Sequence, residues 1–252
     1  GIYKTSSGTN NFNGGVRNLG TFTSNDTLTI GGTGGILEGN LDDAIINVNT
    51  DPVLTLDGSA DYLTATTANF RQGDSTGSIS AWIKTSSSAA QTIFAASDTA
   101  TDNYYFKAYM SSGYVYVTAV GGTASAGDPD YRIRGGSTIH DGSWHHLAFI
   151  RSGSAISIYI DGVAETLTKE VSTNEGDWFD HFAELDNVTI GALTKSSTSE
   201  YFNGSIADVR VYSAALATTD PAILASKIQV DDALTSIQAV HYWKLNSATI
   251  ST

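Results

Sequence analysis

Apolar residues in this chain recur at every second position in short runs, and nearly every run ends at a glycine-containing turn. Ile79, Ala81 and Ile83 alternate with Ser80, Trp82 and Lys84. A period of two puts each set on its own face of a strand, so residues 77–84 predict a half-buried strand. Residues 104–110 and 114–120 flank Ser111-Ser112-Gly113, the pattern of a hairpin with a short loop. Residues 144–150 and 156–160, joined through Ser152-Gly153, predict a second hairpin. Asp57-Gly58 and Asp161-Gly162 supply further turns. Residues 53–56, 92–96, 188–190, 206–212 and 240–245 complete the visible strands. One helix is expected, where Thr218-Thr219-Asp220-Pro221 precedes Ile223, Leu224 and Ile228 at helical spacing. Many short strands with regular turns exclude an α/β fold and predict an all-β sandwich or barrel.

Composition narrows the functional classes. The chain has 252 residues, long enough for one large β domain with an appendage. Its formal net charge is −13, from 26 acidic and 13 basic residues, which argues against a nucleic-acid partner. There is no cysteine, which excludes disulfides, thiolate metal sites and a Cys nucleophile. No apolar run approaches the ~18 residues of a membrane-spanning helix, so no membrane insertion is expected. The sequence has neither an initial Met nor a signal-peptide pattern, as in a mature form or a fragment. Residues 1–52 differ from the rest: Gly14-Gly15, Gly31-Gly32 and Gly34-Gly35 punctuate short apolar stretches such as Leu28 and Ile30. They read either as a β-rich extension for attachment or oligomerisation or as a flexible linker, ahead of a domain over residues 53–252.

Five motifs in order carry a resemblance. Leu56-Asp57-Gly58-Ser59-Ala60-Asp61-Tyr62 is similar to an "F-D-G-x-x-D-Y" opening, and Gly77 to Lys84 to "F-T-I-S-A-W-I-K". Asp141-Gly142-Ser143-Trp144-His145-His146-Leu147-Ala148 resembles "D-G-x-W-H-H-V-A", and Ile158-Tyr159-Ile160-Asp161-Gly162 resembles "L-Y-V-D-G". Tyr201-Phe202-Asn203-Gly204 through Tyr212 resembles "F-N-G-x-I-D-E-V-R-I-Y". Together these resemble the laminin G-like and pentraxin-like domains of the concanavalin A-like superfamily. The resemblance implies a jelly-roll β-sandwich of two antiparallel sheets with a short C-terminal helix. It also implies a module that binds carbohydrates or proteins.

Candidate sites follow from both sources. The resemblance implies a Ca²⁺ site, with Asp57 and Asp208 as the motif-supported ligands. Asp208 stands one residue later than the first acid of the family motif. The plainer reading is that Asp57 caps a turn and Asp208 pairs with Arg210 or with a neighbouring strand. Independently, the ring-rich hairpin 104–116, with Tyr131 and Trp178 expected on loops, nominates Asn103, Tyr105, Tyr109 and Trp178 as a ligand surface. Tyr and Trp stack on the C–H faces of sugars, and Asn bonds the hydroxyls; the alternative is that such rings fill the core. Glu184-Leu185-Asp186-Asn187-Val188-Thr189 partly matches the catalytic Glu-x-Asp-x-x-Glu of retaining glucanases, but Thr189 replaces the second Glu. His145 and His146 are adjacent, so on a strand they face opposite sides and cannot converge on one metal. The expectation is a non-enzymatic binding module for a glycan or a protein surface, extracellular or on a virion, in a homo-oligomer such as a trimer. A structural decoration protein and a polysaccharide-degrading enzyme are the alternatives.

Overall fold

The computed structural model describes residues 53–226, except Thr123, Ala126 and Ala183, together with residues 237–243 and Leu245. The expected extension at residues 1–52 lies outside the described residues, as does Ile228 of the expected helix.

Two antiparallel sheets form the molecule's β-sandwich. The first runs in the order β1 (Leu54–Asp57), β15 (Asn203–Tyr212), β3 (Gly77–Lys84), β8 (Trp144–Ser152), β9 (Ala155–Ile160), β10 (Val163–Ala164), with β16 (His241–Trp243) also paired to β15. The second runs β11 (Thr168–Ser172), β7 (Pro129–Thr138), β6 (Tyr114–Val120), β5 (Tyr105–Ser111), β4 (Gln91–Ser97), β12 (Asn187–Ile190), β2 (Leu63–Thr66). A small hairpin, β13 (Leu193–Thr194) and β14 (Thr198–Ser199), follows β12. Alternation drives the packing: Ile79, Ala81 and Ile83 of the first sheet and Phe106, Ala108 and Met110 of the second enter one core. Both expected hairpins form; in the first, Ser112 (φ 52°) and Gly113 (φ 79°) take the left-handed conformations that a tight two-residue turn requires.

Three expectations need correction. Strand β3 is buried on both faces, not half-buried. Its outer face is covered by the chain after β15: Ser78 Oγ donates to the Ala214 carbonyl and accepts from Leu216 N. There Leu216 and Leu224, the latter from helix α1 (Asp220–Ala225), join Ala148, Ile150, Tyr159 and Tyr212 in a second small core. Strand β7 escaped the sequence reading, and Tyr131, expected on a loop, is fully buried within it. Trp178, expected on a ligand surface, is also fully buried. A 3-10 turn, Phe179–His181, docks it edge-on to Phe106 with ring centroids 4.8 Å apart. Among the described residues, helix α1 and the segment leading to it back the first sheet and segment 191–202 backs β4 and β12 of the second, so the outer face of the second sheet keeps partly exposed side chains at Tyr105, Tyr114, Arg132 and Arg134.

Candidate functional site

Strand register assembles the outer face of the second sheet. Because Phe106, Ala108 and Met110 point inward, Tyr105, Lys107 and Tyr109 point outward. Cross-strand pairing carries each of these into a row. One row reads Thr189, Ala95, Lys107, Thr118, Arg132; the next reads Thr92, Tyr109, Tyr116, Arg134. Lys107 and Arg132 are two strands apart, so their Cα atoms stand about 10 Å from each other.

The side chains on these rows interlock. Tyr109 and Tyr116 stack at 5.0 Å, and Lys107 Nζ sits 4.0 Å above the Tyr109 ring. Arg134 lies 4.4 Å over Tyr114, and Lys195 lies 5.1 Å over Tyr105. The segment 191–202 crosses beside them. It is held by Thr189 Oγ1 donating to the Ala192 carbonyl and by Thr92 N donating to the Glu200 carbonyl. Both carboxylate oxygens of Glu200 accept from Lys107 Nζ at 2.7 Å, and Thr92 Oγ1 donates to one of them. Burial lowers the Lys107 pKa, and the Glu200 charge only partly offsets that. Burial likewise pushes the Tyr109 phenol up to about 12. Tyr116 donates its hydroxyl to Glu170, which also pairs with Arg134.

The four nominated ligand residues separate. Tyr105 and Tyr109 share this face. Tyr109, however, is only 7% exposed under Lys107 and beside Tyr116, so it supports the surface rather than offering a ring to it. Tyr105 keeps partial exposure. Asn103 is exposed on the loop before β5, its carbonyl accepting from Gly127 N at 3.1 Å. Trp178 is in the core and drops out. The cations Lys107, Arg132, Arg134 and Lys195 went unread. They come from distant segments, and only the alternation in Arg132-Ile133-Arg134 hinted that two of them share a face.

The two carboxylates nominated for Ca²⁺ do not converge. Asp57 lies opposite Asn203 on β15, and Asp208 is five residues further along that strand, about 17 Å away. The Asp57 side chain accepts from Ser59 Oγ, Ser59 N, Ala60 N and Asp61 N, led by the 2.6 Å hydroxyl bond, and these hold its pKa far below the usual carboxylate range. Asp208 sits at a β-bulge with φ 56° and pairs with the Arg210 guanidinium at 2.9 Å. A carboxylate committed to Arg and one committed to a turn do not fit a shared cation, and among the described residues no group of three His, Asp or Glu side chains gathers as metal ligands.

The remaining candidates are also committed elsewhere. Glu184 is exposed ahead of β12, Asp186 accepts from Thr99 N and Oγ1 at 2.9 Å, and Thr189 is buried, so no paired carboxylates form there. A separate cleft of about 570 Å³ opens between residues 67–74 and His241, but its Arg71 is already forked onto Asp74. His145 lies between Asp161 (2.7 Å) and Asp141 (3.2 Å), whereas His146 is buried against Trp82.

Comparison with known proteins sets this geometry in context. The fold is similar to the CBM40 of the Ruminococcus gnavus IT-sialidase bound to α2,3-sialyllactose, at 15% identity and TM-score 0.50, over 63% of this chain and 93% of that one. It is similar to the K499G mutant of NanB sialidase from Streptococcus pneumoniae, at 14% identity and TM-score 0.52, over 69% of this chain and 27% of that one. A heptameric SAP-like pentraxin from Limulus polyphemus matches at 18% identity and TM-score 0.49, over 68% and 80%. At these identities the likeness is one of fold. No curated protein matches the chain. Residues 57–220, more than half of the sequence, match the family Laminin_G_3, and the chain belongs to that concanavalin A-like lectin/glucanases superfamily.

Proposed function

We propose that this protein is a non-enzymatic binding module that recognises saccharides on the outer face of its second sheet. The observation that carries the reading is the outward array of Tyr105, Tyr114, Tyr116, Arg132 and Arg134 on the face that helix α1 does not back. The partly exposed rings of Tyr105 and Tyr114 offer stacking surfaces for sugar C–H faces, with Tyr116 buried beneath the face, and the guanidinium groups and Asn103 offer donors for hydroxyls. The likeness of fold to the CBM40 bound to α2,3-sialyllactose is consistent with this reading. We place the module on an extracellular or virion surface, with residues 1–52 as an attachment or oligomerisation segment; the support is their Gly- and Thr-rich pattern.

The test is a glycan array on the full chain, followed by calorimetry on the best saccharide. Tyr105→Ala should weaken binding about five- to tenfold, the loss of one stacking contact. Unchanged affinity in that variant would remove this face from the site.

A further inference from the structure

We infer that the saccharide taken by this face carries an anionic group, a carboxylate or a sulfate, and that Arg132 reads it. The inference rests on the saccharide reading above and narrows it to a chemical class.

The charge pattern carries it. The protein is strongly acidic, yet four of its cations, Lys107, Arg132, Arg134 and Lys195, gather on one sheet face. Three of them are neutralised in place: Lys107 by Glu200 at 2.7 Å, Arg134 by Glu170 at 3.6 Å, and Lys195 by Asp102 at 3.6 Å. Arg132 is the exception. Among the described residues it makes no ion pair, and its Nε is buried without a hydrogen-bond partner. Its field reaches the Tyr105, Tyr109 and Tyr116 hydroxyls, lowering their pKa values against the burial that raises them. Arg132 stands on β7, directly beside the strands β6 and β5 that carry the rings.

A buried donor without a partner is destabilising. A guanidinium is a rigid fork that matches a planar carboxylate or a sulfate with two parallel bonds. Every other described arginine already has a partner: Arg71 has Asp74, Arg134 has Glu170, Arg151 has the Gly176 carbonyl and Arg210 has Asp208. With the neighbouring cations neutralised internally, the face has one open anion-reading position. That position lies beside Tyr rings of β5 and β6 that would stack on the sugar bearing the anion. A neutral sugar would leave the guanidinium charge uncompensated.

Two matched saccharide pairs test this on the full chain by calorimetry. One pair is a galacturonic acid oligomer and its methyl ester; the other is a sulfated galactan oligomer and its desulfated form. The acidic member of one pair should bind about tenfold more tightly than its neutral counterpart, the increment of one charge-assisted pair. Preference within the first pair assigns a carboxylate, and within the second a sulfate. Arg132→Gln should bring that ratio close to one, and Arg132→Lys should keep part of it. Lys84→Gln, an exposed cation on the other sheet, should leave it unchanged. The melting midpoint of each variant reports that it is folded. Equal affinities within both pairs, or a preference that Arg132→Gln leaves intact, overturns the inference alone. No binding to any of the four or to the neutral array overturns the saccharide reading beneath it.

Discussion

At the scale of single residues, the adjacent histidines illustrate how strand geometry sets chemistry. His145 points to the rim, where burial alone would lower its pKa, but hydrogen bonds and charges from Asp161 and Asp141 raise it. His146 points the other way, against Trp82, where burial depresses it to about 3, with Asp161 opposing the shift and Arg210 adding to it. The two act on stability with opposite sign. Below about pH 6.5 the unfolded chain binds a proton at residue 146 that the native chain refuses, so stability falls as pH falls toward 3. Above about pH 6.5 the native chain still holds a proton at residue 145 that the unfolded chain has released. Stability therefore falls as pH rises through the native His145 pKa. The His145 contribution is complete below about pH 6.5, so His145→Gln should be least stable relative to the parent there and should converge on it at higher pH. Thermal midpoints across that range check this; a gap that stays constant with pH would refute the ion-pair assignment. This pair was legible in the sequence as opposite-facing neighbours. The environment that separates their pKa values was not, because Asp141 and Asp161 arrive from two different turns.

At the scale of elements, the segment 191–202 matters most. It lies against the outer face of the second sheet and brings Glu200 to Lys107. Lys107 is 6% exposed, so its charge depends on that carboxylate. Glu200→Gln leaves a nearly buried ammonium without its counter-charge and should cost about 2 kcal/mol in denaturant unfolding, with a further fall in the Lys107 pKa. A change below about 0.5 kcal/mol would mean that the pair is solvated and contributes little. Elements differ in how plainly the sequence announces them. Strands β5 and β6 announce themselves, because Ser112-Gly113 separates two runs of alternating residues. Strand β7 does not: its inward residues Tyr131 and Ile133 are sparse, and Arg132, Arg134 and Gly135-Gly136 look like loop. The segment Glu175-Gly176-Asp177-Trp178 reads as an exposed turn, yet its 3-10 continuation carries Trp178 into the core, where Phe106 and Phe179 surround it. Local polarity hid a tertiary contact in both cases.

At the scale of the whole molecule, function follows from which faces the chain covers with itself. Among the described residues, one sheet is backed by helix α1 and the segment leading to it, the two inner faces cover each other, and the second sheet, backed over β4 and β12 by segment 191–202, keeps partly exposed rings and cations on β5, β6 and β7. The sandwich class was readable because periodicity and turns repeat along the sequence. The face was not, because its residues meet only through the register of β4, β5, β6, β7 and β12. The same register separates Asp57 from Asp208, which motif order had placed together. If this face is the binding surface, saccharide must perturb it first. Amide chemical-shift mapping during titration with the best saccharide from the array tests this most directly. Perturbations are expected to gather at residues 105–118 and 131–134. Perturbations gathered instead at the rim turns, residues 57–61 and 141–143, would contradict it.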